Sequence, residues 1–345
     1  MQSNPSNLEL ISNHLKELES VKNSQNVLVL GGAGFIGKWI VSSFATLFCN
    51  LQKNSDVILV TRNKSAASAK FSEFPPKVRA RIQFLNYGEV FANPQELKNV
   101  SGYFHCATTT SGFNSEIREI LSLTQRLLDF IVEFGSGGLP PYFIHLSSGA
   151  VYRSSITNPM TLDVDMPTRD LSECLNVYQE VKVLLENLVN DFTAKGHIFG
   201  CNPRLFAFTG PWLPLTTHFA IANFMQSGIA GTPIRIQGHS ETTRTYLHPV
   251  DLIIMLFQLM NEVSKGQVLK VNIGSEEKVN MGELARMISE LFGELRIIES
   301  SKKEAKPSFY VPDMGTSSAA LSHQRIFNLN SALTNWKDNI VTSIN

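Results

Sequence analysis

Seven residues, Gly31-Gly32-Ala33-Gly34-Phe35-Ile36-Gly37, constrain this chain more than any other stretch. They follow the apolar run Asn26–Leu30 with no spacer and lead into Lys38–Phe48, which reads as a helix. A strand that turns straight into a helix needs backbone freedom at its first bend, which Gly31 offers. A phosphate can come close only where a side chain is missing, as at Gly34, and helix packs on strand only where Gly37 keeps the contact small. The helix start adds unpaired N–H groups and the positive end of its dipole. Gly31, Gly34, Phe35, Ile36 and Gly37 are therefore the candidate diphosphate cradle for a dinucleotide.

The rest of the chain fits that start. Asp56–Val60, Arg81–Leu85, Ser101–Cys106 and Pro141–Leu146 are short β-rich runs, with helical stretches among them, notably Ser115–Phe134 and Tyr178–Thr193. This alternation predicts an α/β chain with a doubly wound parallel sheet. After Cys201–Phe208 the ladder breaks up around Gly210-Pro211, Pro214 and Gly231-Thr232-Pro233, which predicts a smaller, substrate-facing C-terminal lobe. The expected organisation is a helical extension over 1–25, with Leu8, Ile11, Leu15 and Leu18 at helical spacing, and a cofactor-binding domain over 26–208. Residues 209–345 form mainly the substrate-binding lobe, with some segments returning to the first domain.

Composition excludes other classes. The 30 basic side chains balance the 30 acidic ones, so no net field recruits nucleic acid or an acidic membrane. The four scattered cysteines predict reduced thiols, and the eight histidines show no metal-like pairing. No apolar run is long enough to cross a membrane or to act as a signal peptide, so the expected location is the cytoplasm.

Tyr178 and Lys182 stand four apart in a predicted helix and so share a face. A free phenol, with a pKa of about 10, is a poor base at neutral pH. A neighbouring ammonium stabilises the phenolate and brings it into range. Ser148, just past the fifth predicted strand, can hydrogen-bond a substrate oxygen and aim it at Tyr178. At the end of the second strand, Thr61-Arg62-Asn63-Lys64 offers no carboxylate for a ribose hydroxyl. The Arg62 guanidinium suits a 2′-phosphate, so NADP is expected ahead of NAD.

These motifs, in this order, resemble those of the extended short-chain dehydrogenases with a Rossmann-type fold, nearest to the NAD-dependent epimerase/dehydratase family. Ser147-Ser148-Gly149-Ala150-Val151-Tyr152 looks like the family's SS-x-x-VY segment, with Ser148 at its catalytic position. Ser147 reads as a strand-end serine that caps backbone groups. His105-Cys106-Ala107-Thr108 resembles the turn that borders the nicotinamide, which implies a cofactor contact at Ala107 and a substrate contact at Thr108. Asn86 falls where the family often has an adenine-contacting Asp, and the resemblance gives Lys182 a further role on the nicotinamide ribose. In the lobe, the segment Gly231–Leu252 implies that Arg244 binds a substrate diphosphate, with Asp251 reading as a helix cap. Tyr310-Val311-Pro312-Asp313 resembles a lobe turn.

The implied substrate is a nucleotide-linked sugar, and the implied assembly a homodimer. A dTDP-glucose 4,6-dehydratase-like branch also looks similar around Leu205–Phe224. Dehydratases of that kind carry Asp-Glu directly after the catalytic hydroxyl residue, however, where this chain has Gly149 and Ala150. The leading expectation is hydride transfer at sugar carbon 4, as a 4-ketosugar reductase or a 4-epimerase. A 4,6-dehydratase and a non-catalytic NADP-sensing protein are the alternatives, the latter at odds with a complete Ser/Tyr/Lys set.

Overall fold

The computed structural model describes residues 5–18, 24–92, 97, 99–107, 114–134, 139–153, 161–215, 219–263, 269–299, 306–321 and 323–344. The first seven strands are β1 (Asn26–Leu30), β2 (Val57–Val60), β3 (Ile82–Leu85), β4 (Val100–His105), β5 (Tyr142–His145), β6 (Ser147–Ser148) and β7 (Phe199–Cys201). All but β6 form one six-stranded sheet in the order β3-β2-β1-β4-β5-β7, with every neighbour parallel. The doubly wound parallel sheet expected from the alternation is thus present. β7 is an addition: three residues carry no period by which a sequence could announce a strand.

Both faces of this sheet are covered, which is why its strands are apolar without interruption. Val27 and Val29 of β1 point to one side, into a core shared with α1 (Pro5–Leu15), α2 (Phe35–Asn50) and the later helix Pro249–Glu262. Leu8, Ile11 and Leu15 of α1 are buried there, and the rings of Phe44 and Phe257 meet at 4.2 Å. Leu28 and Leu30 point to the other side, toward α3 (Asn114–Phe134) and α4 (Val177–Ala194). α2 starts at Phe35, straight after Gly34, rather than at Lys38. The two apolar residues of the glycine turn are its first helical ones, packed against the cores.

The remaining strands are β8 (Arg204–Leu205), β9 (Ile234–Ile236), β10 (Thr243–Thr245), β11 (Asn272–Ile273), β12 (Lys278–Asn280), β13 (Ile297–Glu299) and β14 (Phe309–Tyr310). β6, β8 and β11 make a small parallel sheet beyond the end of β5. β12, β10 and β14 make a mixed sheet, antiparallel between β12 and β10 and parallel between β10 and β14, in which Arg244 pairs with Tyr310. β9 and β13 pair beside a third core around Ile221, Phe224, Leu284, Ile288 and Trp336.

A strap fastens this lobe to α2. Trp39 donates its indole N–H to Pro211 O at 3.2 Å, and the Trp39 and Trp212 rings meet at 4.3 Å. Lys38, paired with Glu73 at 2.6 Å, lies 4.3 Å from the centre of the Trp212 ring. The helix that starts at the glycine turn is therefore tied to the chain that opens the lobe. No helix among the described residues is long and apolar enough to cross a membrane.

Candidate active site

Strand order reverses between β1 and β4, and their carboxyl ends open the crevice where such sheets bind ligands. Gly31 adopts φ +79°, and a Cβ on it would lie 2.7 Å from Ala107 N, so the two strand ends close on each other. A Cβ on Gly37 would lie 2.4 Å from Gly31 O. Gly34 differs: a Cβ there would meet only Gly31 O, at 3.4 Å, so its outer side is open. Gly34 caps α2 without a side-chain hydrogen bond, which leaves the N–H groups of Phe35, Ile36 and Gly37 without helical acceptors. An open face lined by donors at a positive dipole end fits a dinucleotide diphosphate.

Arg62 is exposed just beyond β2. The residues after it are committed: Asn63 accepts from Ala66 N at 2.9 Å to cap the next helix, and Lys64 pairs with Glu89 at 2.6 Å. Asn86 Oδ1 accepts from Glu89 N at 2.9 Å while Glu89 accepts from Asn86 N at 2.7 Å. This reciprocal cap takes one lone pair of the Asn86 carbonyl and leaves its NH2 for an adenine. Ala107 is buried against Gly31; Thr108 lies outside the described residues.

Ser148, Tyr178 and Lys182 come together. Ser148 ends β6, Tyr178 lies in the first turn of α4, and Lys182 follows one turn later. Asn176 starts α4 by accepting from Gln179 N at 3.0 Å, which fixes where Tyr178 emerges. Burial raises the Tyr178 pKa, and the Ser148 hydroxyl beside the phenol opposes the rise. Lys182 is buried, with Nζ 5.8 Å from the centre of the Tyr178 ring, and donates to Leu146 O. Burial pushes its ammonium down to about 8.

The support beneath the trio corrects one expectation. Ser147 caps no backbone group: its hydroxyl donates to Glu186, which also holds Arg204 through Nε at 3.0 Å and Nη2 at 2.9 Å. This buried pair joins α4 to β8 and braces the strand that carries Ser148. Tyr152 adds a bond to Asn272 of β11. Close by, the buried His105 and His145 rings meet at 5.1 Å, and burial lowers His105 to about 3, so both stay neutral under Lys182. Burial likewise pushes Cys106 up to about 12, which makes it a packed thiol rather than a nucleophile.

On the lobe side, Arg244 is half-buried and donates to Thr243 O at 2.8 Å, Ser308 O at 3.1 Å and Ser308 Oγ at 2.8 Å. Among the described residues no carboxylate forms an ion pair with it. Asp251 is spent elsewhere: it accepts from His323 and Ile326 N, both at 2.7 Å, while His248 caps the helix in its stead. A cation held by neutral oxygens at the rim of a crevice suits an anionic ligand. Tyr310, read from the sequence only as part of a turn, brings its hydroxyl over Gly149 and donates to Leu205 O at 3.5 Å. The pairing of β10 with β14 puts it there, and no local pattern carries that signal.

A model of the NAD dependent epimerase/dehydratase family matches residues 27–274. UDP-glucuronic acid decarboxylase 6 of Arabidopsis thaliana is 21% identical over 302 residues, covering 85% of this chain and 82% of its own length. A dTDP-4-dehydro-6-deoxy-D-allose reductase from a Streptomyces species is 23% identical over 295 residues, covering 78% of this chain and 82% of its own. Among solved structures, the UDP-glucuronic acid 4-epimerase of Bacillus cereus, in complex with UDP-glucuronic acid and NAD, superposes with a TM-score of 0.72 at 19% identity, covering 92% of this chain and 100% of that one. That likeness is one of fold.

Proposed function

The chain belongs to the NAD-dependent epimerase/dehydratase family of enzymes, and we propose that it transfers hydride at carbon 4 of a nucleotide-linked sugar, as a 4-epimerase or a 4-ketosugar reductase. The observation that carries the proposal is the gathering of Ser148, Tyr178 and Lys182 at the ends of β6 and α4, with the buried Lys182 ammonium 5.8 Å from the Tyr178 ring. A bound nicotinamide supplies the hydride acceptor or donor. Gly31, Gly34, Phe35, Ile36 and Gly37 hold its diphosphate, Ala107 lies beside it, and Lys182 holds its ribose. Asn86 offers its NH2 to the adenine. Arg62 binds a 2′-phosphate, which favours NADP over NAD.

Ser148 donates to the oxygen on carbon 4 and aligns it. Tyr178 accepts the hydroxyl proton as the hydrogen on carbon leaves as hydride, and returns a proton in the reverse direction. Lys182 keeps the phenolate accessible through its charge. Arg244 holds the substrate diphosphate with a fork of donors suited to phosphate oxygens. Thr108, which follows Ala107, is assigned a contact with the sugar. Dehydration is disfavoured because Gly149 and Ala150 bring no acid or base, and the space above Gly149 is filled by Phe206 and Tyr310.

The test is mass spectrometry of the nucleotide released from purified protein, followed by incubation with UDP-, dTDP-, GDP- and CDP-hexoses and each cofactor. The expected product has unchanged mass, or differs by two hydrogens. Loss of water or of carbon dioxide as the main outcome would overturn the assignment as a 4-epimerase or a 4-ketosugar reductase.

A further inference from the structure

Lys182 and Glu186 are one turn apart on α4, so their side chains leave the helix on the same face. Both are buried, and both reach the same short stretch of chain after β5. Lys182 Nζ donates to Leu146 O, and the next residue, Ser147, donates its hydroxyl to Glu186 Oε1. Two successive residues thus hold the ammonium and the carboxylate near each other. They form no direct ion pair, because Glu186 is taken by Arg204 of β8, through Nε at 3.0 Å and Nη2 at 2.9 Å. Arg204 is buried as well, with its guanidinium 4.7 Å from the centre of the Tyr152 ring and a bond to Val164 O at 3.3 Å.

A buried ammonium keeps its proton only where acceptors and negative charge offset the water it has lost. Leu146 O is one acceptor and brings no net charge. We infer that Glu186 is a positioning residue that acts through Lys182: its carboxylate, fixed one turn along α4 by Ser147 and Arg204, keeps the ammonium charged near neutral pH. The inference rests on the reading of Lys182 as the support of the Tyr178 phenolate. It gives the buried pair with Arg204 a task beyond bracing the strand.

The other groups around the ammonium do not supply that charge. They are Tyr178 from α4, His105 and Cys106 at the end of β4, and His145 from β5. Burial raises the Tyr178 pKa and keeps both histidines neutral, and it pushes the Cys106 thiol up to about 12. Burial lowers Lys182 to about 8, while Cys106 and Glu186 oppose the fall. With Cys106 still a thiol at that pH, the anion present is Glu186. Arg204, on the same carboxylate, works against it.

The titration of Lys182 can be followed by nuclear magnetic resonance with lysines carbon-labelled at Cε, its signal being the one missing from Lys182→Met. The midpoint is expected at about 8. Glu186→Gln keeps the length and an acceptor for Ser147 but removes the charge, and the midpoint should fall by about one pH unit. Glu186→Asp keeps the charge while disturbing the contacts with Ser147 and Arg204, and the midpoint should stay within about 0.3 pH unit. Arg204→Gln removes the opposing cation, and the midpoint should rise. In Glu186→Gln, kcat/KM for the cofactor should drop about fivefold at pH about 8 and hardly at pH about 6, where Lys182 is charged in either protein. A midpoint unmoved in Glu186→Gln overturns the inference, and so does one that falls as far in Glu186→Asp or falls in Arg204→Gln. A loss of kcat/KM equal at the two pH values also overturns it, since a brace alone would act so. Full turnover in both Ser148→Ala and Tyr178→Phe would instead sink the catalytic reading, a result that leaves the Lys182 midpoint where it is.

Discussion

The cofactor side and the sugar side of the crevice are built in different ways. On the cofactor side, the turn from Gly31 to Gly37 needs little beyond its own seven residues and the close approach of Ala107. On the sugar side, Arg244 and Tyr310 meet only because β10 and β14 pair, and Ser148 is held by β8, β11 and α4. One side is a stretch of chain and the other an assembly of distant strands. Damage to the first should therefore show in the cofactor alone, and damage to the second in the sugar alone. Loss of turnover with both ligands still bound should mark the residues between them.

Tyr178→Phe is the severest test, because that phenol is the proposed proton carrier between the two sides. Turnover should fall by about 10²–10⁴-fold, with cofactor affinity by fluorescence titration nearly unchanged. Near-full activity would leave the two sides with no common chemistry. Arg244→Ala comes next. Loss of a charged hydrogen bond worth about 1.5–3 kcal/mol should raise KM for the nucleotide sugar about 10- to 100-fold. Cofactor binding should not change; equal weakening of both would erase the division between the sides.

The pH dependence sharpens the boundary. Burial puts the Lys182 ammonium at about 8, so the charged form that supports the Tyr178 phenolate is present below that pH and lost above it. The kcat/KM for the cofactor, which reports the free protein, should decline as pH rises through about 8. A profile flat to pH about 10 would show that the Lys182 charge is not needed. The smallest effect is expected at the exposed Arg62. Arg62→Ala should weaken NADP about tenfold and leave NAD alone. Equal losses, or none, would remove Arg62 from the 2′-phosphate.

The same division decides what could be read before any coordinates. Five strands of the main sheet are runs of Val, Leu, Ile and Phe covered on both faces, and they announce themselves to within a residue or two. The glycine turn and the spacing of Tyr178 and Lys182 are equally local. Ser147 was legible as a strand end but not in its role, since Glu186 and Arg204 reach it from another helix and another strand. Asp251 pointed to a helix start, yet its partners His323, Ile326 and Phe327 lie far along the chain. Tyr310 carries no mark of its place because strand pairing alone brings it to Gly149.

The most direct test of carbon-4 chemistry follows the hydrogen itself. UDP-glucose and UDP-glucuronic acid carrying deuterium at carbon 4 are incubated with the protein and NAD or NADP, quenched within a turnover, and the nicotinamide is weighed by mass spectrometry. Deuterium should appear on the nicotinamide ring, and Tyr178→Phe should abolish the transfer. A product formed while the label never leaves the sugar would contradict the account.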